Sequence, residues 1–248
     1  VRRRMNKTVI FDMGGVLVDL DIEDCKKVFR EELGYAGIDA IIDACHQKGI
    51  YGDLEEGTLS AEDFRAIVLA ADEVDRAMSH ILVGIAPHKV ELLKRMAGKY
   101  DLCMLSNNNP ICLPFSKKMF EDAGLDKCEN IKLVEYIYDM PKQMAAADLV
   151  VARAGSITLS ELALEGKPCI LIPSPNVTEN HQYKNAKVLA DRGAAILMEE
   201  KDITPEKTVD AVRAILDSAE TRRSMQDAIR TLAVSDACDR IYEECRRL

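Results

Sequence analysis

An α/β fold is predicted for this chain: a parallel sheet covered by helices on both faces, with a helical cap inserted after the first strand. Three observations predict it. From residue 131 onward, short apolar runs of strand length alternate with helical segments, the repetition that builds a covered parallel sheet. An early run, Thr8-Val9-Ile10-Phe11, is β-branched and aromatic and soon closes on glycines. Between that run and the next, residues from about 20 to 85 show helical periodicity with no strand among them, which reads as the cap.

Taken in order, the first strand covers 8–11. In the cap, Gly34, Gly37, Gly49, Gly52 and Gly57 punctuate the helical pattern. Ser60-Ala61-Glu62-Asp63 is a capped helix start ahead of an apolar series. Pro87 opens a helix to about residue 97, and Leu102-Cys103-Met104-Leu105 is the second strand. A short helix follows over 117–123. Later strands are expected over 131–134, 149–152, 169–172 and 194–198. The helices between and after them cover 141–146, 158–165, 181–192, 205–218 and 219 to the end.

Composition narrows the function classes. The 248 residues are 48% hydrophobic and 30% charged, with a net charge of −9, as in ordinary globular proteins. That balance argues against a sequence-independent nucleic-acid binder, which needs a basic face. Arg2-Arg3-Arg4 and Arg246-Arg247 read as solvated ends. Eight cysteines include no C-x-x-C pair, so reduced, largely buried thiols are expected. No transmembrane segment and no apolar signal core are found, and a cytoplasmic location is expected. Met5 is the expected start behind a leading valine.

The first chemical signature is FDMGGVLVDLD, residues 11–21. Asp12 stands where a parallel strand ends, the place where open α/β sheets hold ligands, and the glycines behind it allow a sharp turn. A carboxylate there can attack a phosphoryl group. With MLSNNNP at 104–110, this stretch resembles the haloacid dehalogenase (HAD) superfamily in its phosphatase-like branch, over residues 5–126. The resemblance implies Asp12 as nucleophile, Ser106 and Asn107 as phosphate contacts, and Mg2+ at Asp12 in such a site. Gly14 stands where many members carry an acid. A third-motif lysine on a matching segment and paired later acids for the metal are not found; Lys142 is the one lysine near that place.

The second signature is AAADLVVARAGSITLSEL, residues 145–162. A buried strand runs into Arg153-Ala154-Gly155-Ser156 and then a helix. Gly155 permits close backbone approach, and the free N–H groups of a helix N-terminus suit an anion. Glu161, in the first turns, can accept two hydrogen bonds from a ribose diol. Together with VEYIYDM at 134–140, GKPCILIPSPNVT at 166–178 and NHQYKNA at 180–186, the stretch resembles the C-terminal, donor-binding domain of the MurG family of UDP-N-acetylglucosamine transferases, over residues 129–248. This implies backbone at Ile137 reading the uracil, Glu161 on the ribose and Gln182 on the sugar hydroxyls, with Arg153, Gly155 and Ser156 at the same site. The acceptor domain of that family and its glycine-rich diphosphate loop have no counterpart here.

The domain organisation expected is therefore an HAD-like segment over 1–126 and a donor-binding segment over 127–248, merging into one Rossmann-like sheet. In the 3-2-1-4-5-6 order of such sheets, the strands ending at Phe11 and Leu105 take positions 1 and 2, and the later strands take 3 to 6. Asp12 would then replace the diphosphate loop and repel an anionic donor, which predicts weak UDP-sugar binding. The function expected is that of a glycosyltransferase-related protein with a UDP or UDP-GlcNAc half-site. The alternatives are a Mg2+-dependent phosphatase using Asp12 and a non-catalytic fusion. A phosphorylated small molecule and peripheral membrane contact complete the expected partners. No cofactor is assigned beyond Mg2+ at the HAD-like site.

Overall fold

The structure, a computed structural model, describes residues 7–42, 49–105, 109–134 and 139–247. Eight strands are formed: β1 (Thr8–Asp12), β2 (Val18–Leu20), β3 (Leu82–Ile85), β4 (Asp101–Leu105), β5 (Ile131–Val134), β6 (Leu149–Ala152), β7 (Cys169–Leu171) and β8 (Ile196–Leu197). Six of them make one sheet in the order β5-β4-β1-β6-β7-β8, the expected 3-2-1-4-5-6 succession of a Rossmann-like sheet. The other two pair with each other, antiparallel. By internal contacts the chain divides into two compact units. One holds Asp12–Gly98 and Leu102–Tyr138, the other Val1–Phe11, Lys99–Asp101 and Asp139–Leu248.

The first of these units carries the insert. Its helices are α1 (Ile22–Lys27), continued by a wider π turn over Val28–Glu32, then α2 (Ile38–Ile41), α3 (Ile50–Glu55), α4 (Ala61–Val68), α5 (Ala71–Ser79), α6 (Pro87–Ala97) and α7 (Leu113–Asp122). The insert has its own core, built from Cys25, Phe29, Ile38, Leu54, Phe64, Val74 and Met78, all buried. Ser60 caps α4 as expected: its hydroxyl accepts from the Asp63 N–H and donates to the Asp63 carboxylate. Parallel β4 and β5 pair from Leu102↔Ile131 to Leu105↔Val134.

One expectation is corrected here. Residues 82–85 are not helical; they form β3, which pairs with β2 through Val18↔Ile85, Asp19↔Gly84 and Leu20↔Leu82. The short ladder joins the two ends of the insert. It has an irregularity between Asp19 and Leu20, and Gly84 adopts φ 142°, a conformation that favours glycine. Behind it, the ammonium of buried Lys89 donates to the Asp19 carboxylate at 2.6 Å.

In the second unit β1 pairs with β6 in parallel, Val9↔Leu149, Ile10↔Val150 and Phe11↔Val151. The pairing begins at a clasp: the Thr8 N–H donates to the Asp148 carboxylate, and the Asp148 N–H to the Thr8 carbonyl, both at 2.9 Å. All four residues of β6 are buried, so helices cover both of its faces. The helices here are α8 (Met140–Ala146), α9 (Ser156–Glu165), α10 (His181–Ala190), α11 (Pro205–Leu216), α12 (Ala219–Arg230) and α13 (Ala237–Arg247). The single helix expected from residue 219 onward is in fact two. The chain leaves α12 through turn hydrogen bonds from Leu232 to Ile229 and from Ala233 to Arg230.

Candidate functional site

Arg153, Gly155 and Ser156 follow the end of β6, and Gln182 follows the loop after β7, the edge at which parallel strands deliver ligands. β6 is pinned on one side by β1 and on the other by β7. Beyond it the chain turns through Arg153, Ala154 and Gly155 into α9. Gly155 is the N-cap of α9, with φ −69° and ψ 147°. That conformation does not require glycine, and an added Cβ would meet only Thr158 Oγ1, at 3.9 Å. The fold itself thus has no need of glycine at 155. Ser156 is exposed in the first turn, and Ile157 beside it is 75% exposed.

Arg153 is half-buried and held from two sides. Its guanidinium donates to the Ile172 carbonyl at 3.2 Å and to the Glu200 carboxylate at 3.1 Å. It thereby ties the turn after β6 to the end of β7. Glu161, in the second turn of α9, lines a small cleft of about 100 Å³ with Met140, Pro141, Met144, Leu164 and Glu165. Partial burial pushes its carboxyl above the ordinary carboxylate value.

The third component is the loop after β7 and the start of α10. The side-chain carbonyl of Gln182 accepts the Ser174 N–H at 2.9 Å, so the loop is fastened to the helix it precedes. Asn185, one turn on, donates to the Ala154 carbonyl at 3.4 Å and links α10 to the turn before α9. Glu179 and Asn180 both have positive φ, 54° and 53°. Two successive non-glycine residues in that region are strained, at roughly 1–3 kcal/mol each, and such strain clusters at ligand sites. Sequence reading did not single out Asn185, Glu179 or Ile157. The signal available was the NHQYKNA run, whose second Asn sits one turn from Gln182.

In the other unit Asp12 ends β1 and stands at the head of a tight apolar turn. The N–H groups of Leu17 and Val18 both donate to the Met13 carbonyl, and that of Gly15 to the Val18 carbonyl. Gly15 has φ 71°, which the turn demands. Met13, Val16, Leu17 and Val18 are buried, so the backbone carrying Asp12 is firmly anchored. Ser106, Asn107 and Ile137 lie outside the described residues. Near the first two, the buried Asn109 side chain accepts the N–H groups of Ile111 and Cys112.

Among the described residues no group of three or more His, Cys, Asp or Glu could hold a metal ion. Mg2+ keeps several waters and is usually held by one or two carboxylates plus substrate phosphate, so Asp12 is the described residue that would hold it in such a site. The described cysteines are all free, and burial pushes the thiols of Cys25 and Cys169 up to about 12 and that of Cys112 up to about 11. Among the described residues no helix is long and apolar enough to cross a membrane.

Comparison with known proteins points to both signatures. The family model of the glycosyltransferase family 28 C-terminal domain matches residues 57–241, more than half of the chain. A UDP-N-acetylglucosamine–N-acetylmuramyl-(pentapeptide) pyrophosphoryl-undecaprenol N-acetylglucosamine transferase of Bacillus cytotoxicus is 43% identical over 120 residues, which are 48% of this chain and 33% of that protein. The corresponding transferase of Desulfitobacterium hafniense is 37% identical over 155 residues, 62% of this chain and 42% of that protein. The chain thus spans well under half the length of these curated relatives. Among solved structures, Acinetobacter baumannii MurG matches with a TM-score of 0.53 and 26% identity, over 65% of this chain and 45% of that one. A HAD family enzyme of Bacteroides thetaiotaomicron, solved with magnesium and inorganic phosphate, matches with a TM-score of 0.54 and 21% identity, over 71% and 98%. At that identity the second likeness is one of fold alone.

Proposed function

Because the chain belongs to the family of the glycosyltransferase family 28 C-terminal domain, we propose that residues 127–248 provide a donor half-site for UDP or UDP-N-acetylglucosamine, joined to an HAD-like segment over 1–126. One observation carries the reading: the start of α9, Glu161 and the Gln182-anchored loop belong to elements that leave neighbouring parallel strands at the same edge. In this reading the first-turn N–H groups of α9 face the diphosphate, aided by the Ser156 hydroxyl, and the missing side chain at Gly155 leaves room for it. Glu161, ionised, accepts both ribose hydroxyls. Backbone at Ile137 reads the uracil. Gln182, whose carbonyl is engaged by Ser174, turns its amide donors to the sugar. Arg153 positions the turn through Ile172 and Glu200.

A thermal-shift series tests this. UDP and UDP-N-acetylglucosamine are expected to raise the melting temperature of the full chain, and Glu161→Ala to remove the rise. No shift with either ligand on the wild type would overturn the donor site. The placement proposed for the protein is the cytoplasm, with any membrane contact peripheral.

The anchored turn under Asp12 favours a second reading, phosphoryl chemistry in the HAD-like segment. Asp12 would attack the phosphorus of a small phosphate ester, with Ser106 and Asn107 on its oxygens; the P–O bond to the alcohol breaks, the alcohol leaves with a proton from water, and a second water hydrolyses the acyl-phosphate to inorganic phosphate and free Asp12. Phosphate-ester hydrolysis lost in Asp12→Asn, assayed with and without Mg2+, supports it. Wild-type turnover indistinguishable from Asp12→Asn excludes it. Failure of both assays leaves the non-catalytic fusion.

A further inference from the structure

Among the described residues, nothing buries α13. Not one described residue of α13 is buried, although it carries large apolar side chains. Ile241 is 64% exposed and Tyr242 63%. An isolated helix of this length is marginal in water, and most helical stability comes from packing an apolar face. Local ion pairs support α13 in part: Arg240 with Asp236, Arg246 with Glu243 and Arg247 with Glu244. Exposed pairs of this kind stabilise a helix only weakly. They leave the stripe of Cys238, Ile241, Tyr242 and Cys245 unoccupied, and its 3-4 spacing is that of a helix–helix seam.

We infer that α13 is a self-association surface on which a second copy of this chain packs its own α13, antiparallel about a two-fold axis near Ile241 and Tyr242. The stripe is palindromic in size. Reversed on itself, it sets Cys238 against Cys245 of the second copy and Ile241 against Tyr242 of the second copy, thiol on thiol and large on large. An isologous contact needs such self-complementarity. Charge follows the same reversal. Asp236 comes opposite Arg247 of the second copy and Arg240 opposite Glu243 of the second copy; Asp239 against Glu244 is the like-charged exception. Opposed helix dipoles favour the antiparallel sense. A parallel pair would instead set each charge against its own copy.

Both cysteines of the stripe are free and exposed, so they report the geometry. The full chain is first examined by sedimentation equilibrium under reducing conditions. A concentration-dependent dimer is expected, weakened at least about tenfold by Ile241→Asp, which places an unpaired carboxylate in the seam. Because Ile241 is exposed in the single chain, its replacement is expected to leave the melting temperature of the monomer unchanged; Tyr242→Ser is the companion variant. Next, Cys238→Ser and Cys245→Ser are oxidised in air with a copper catalyst, separately and mixed, and the bridges are mapped by mass spectrometry. Only the mixture is expected to give a bridge within this helix, between Cys245 of one variant and Cys238 of the other. A monomer at all concentrations, a dimer indifferent to Ile241→Asp, or like-with-like bridges would overturn the proposal.

Discussion

Glu161 is the residue on which the donor reading turns, and its partial burial makes the reading pH-dependent. Its carboxyl titrates above the ordinary value because the folded chain desolvates it. A carboxylate accepts two hydrogen bonds from a diol, whereas the protonated acid gives up that capacity. UDP protection is therefore expected to be weak on the acid side and to grow as pH rises through the raised value. Glu161→Gln should flatten that profile, which thermal shifts at stepped pH measure. Without ligand the sign reverses: a raised folded value means the folded state holds the proton better, so ionising Glu161 lowers stability over the same window. Lys89 poses a purely structural case. It is 3% exposed and bonded to Asp19 at 2.6 Å across the base of the insert. Removing one partner of a buried pair costs about 3–5 kcal/mol, and the half-exposed Asp19 brings this toward about 2 kcal/mol. Urea unfolding of Lys89→Ala measures the loss. Lys89→Met, which keeps the packing of the stem, should lose less.

At the scale of elements, local signals account for what was legible. Ser60 with Asp63, Pro87 and the apolar runs each announce an element through its own residues. Glu161 and Gln182 stand out in the sequence only through the motifs that carry them, the run after the strand ending at Ala152 and the NHQYKNA run. The misses have nonlocal causes. β3 is four residues with a glycine inside, and its partner β2 lies more than sixty residues earlier; nothing near Leu82 records that pairing. The end of α12 has neither Gly nor Pro to mark it. The bond from Asn185 to Ala154 exists only once α10 has come against the turn before α9. Helix ends offer a direct test. Gly166 closes α9 at φ 61°, and an added Cβ would lie 2.3 Å from Arg230 Nε. Gly166→Ala must hold a left-handed conformation and push the arginine aside. A loss of about 1–2 kcal/mol is expected in chemical unfolding.

At the scale of the molecule, the question is whether the boundary read near residue 126 separates two pieces that could stand alone. The contacts inside one compact unit argue that it does not, because that unit takes β1 from the far end of the chain. Val9, Ile10 and Phe11 are all buried, and they run in register with Leu149, Val150 and Val151. Burying three such side chains contributes about 1.5–3 kcal/mol each, a large share of the roughly 5–15 kcal/mol that holds a domain folded. Without β1 the ladder edge of β6 is open in the middle of an apolar sheet, and the Thr8–Asp148 clasp is gone. A fragment covering 127–248 is thus expected to be aggregated or to unfold without a cooperative transition, and to show no UDP protection. The full chain melts cooperatively in the same assay. Supplying residues 7–12 at the head of the fragment through a flexible linker should restore a transition, because those residues complete β1 beside β6. Circular dichroism melts of the three proteins decide the matter. A fragment that melts cooperatively without β1 would show that residues 127–248 fold on their own and that the amino-terminal strand is only an addition to the edge.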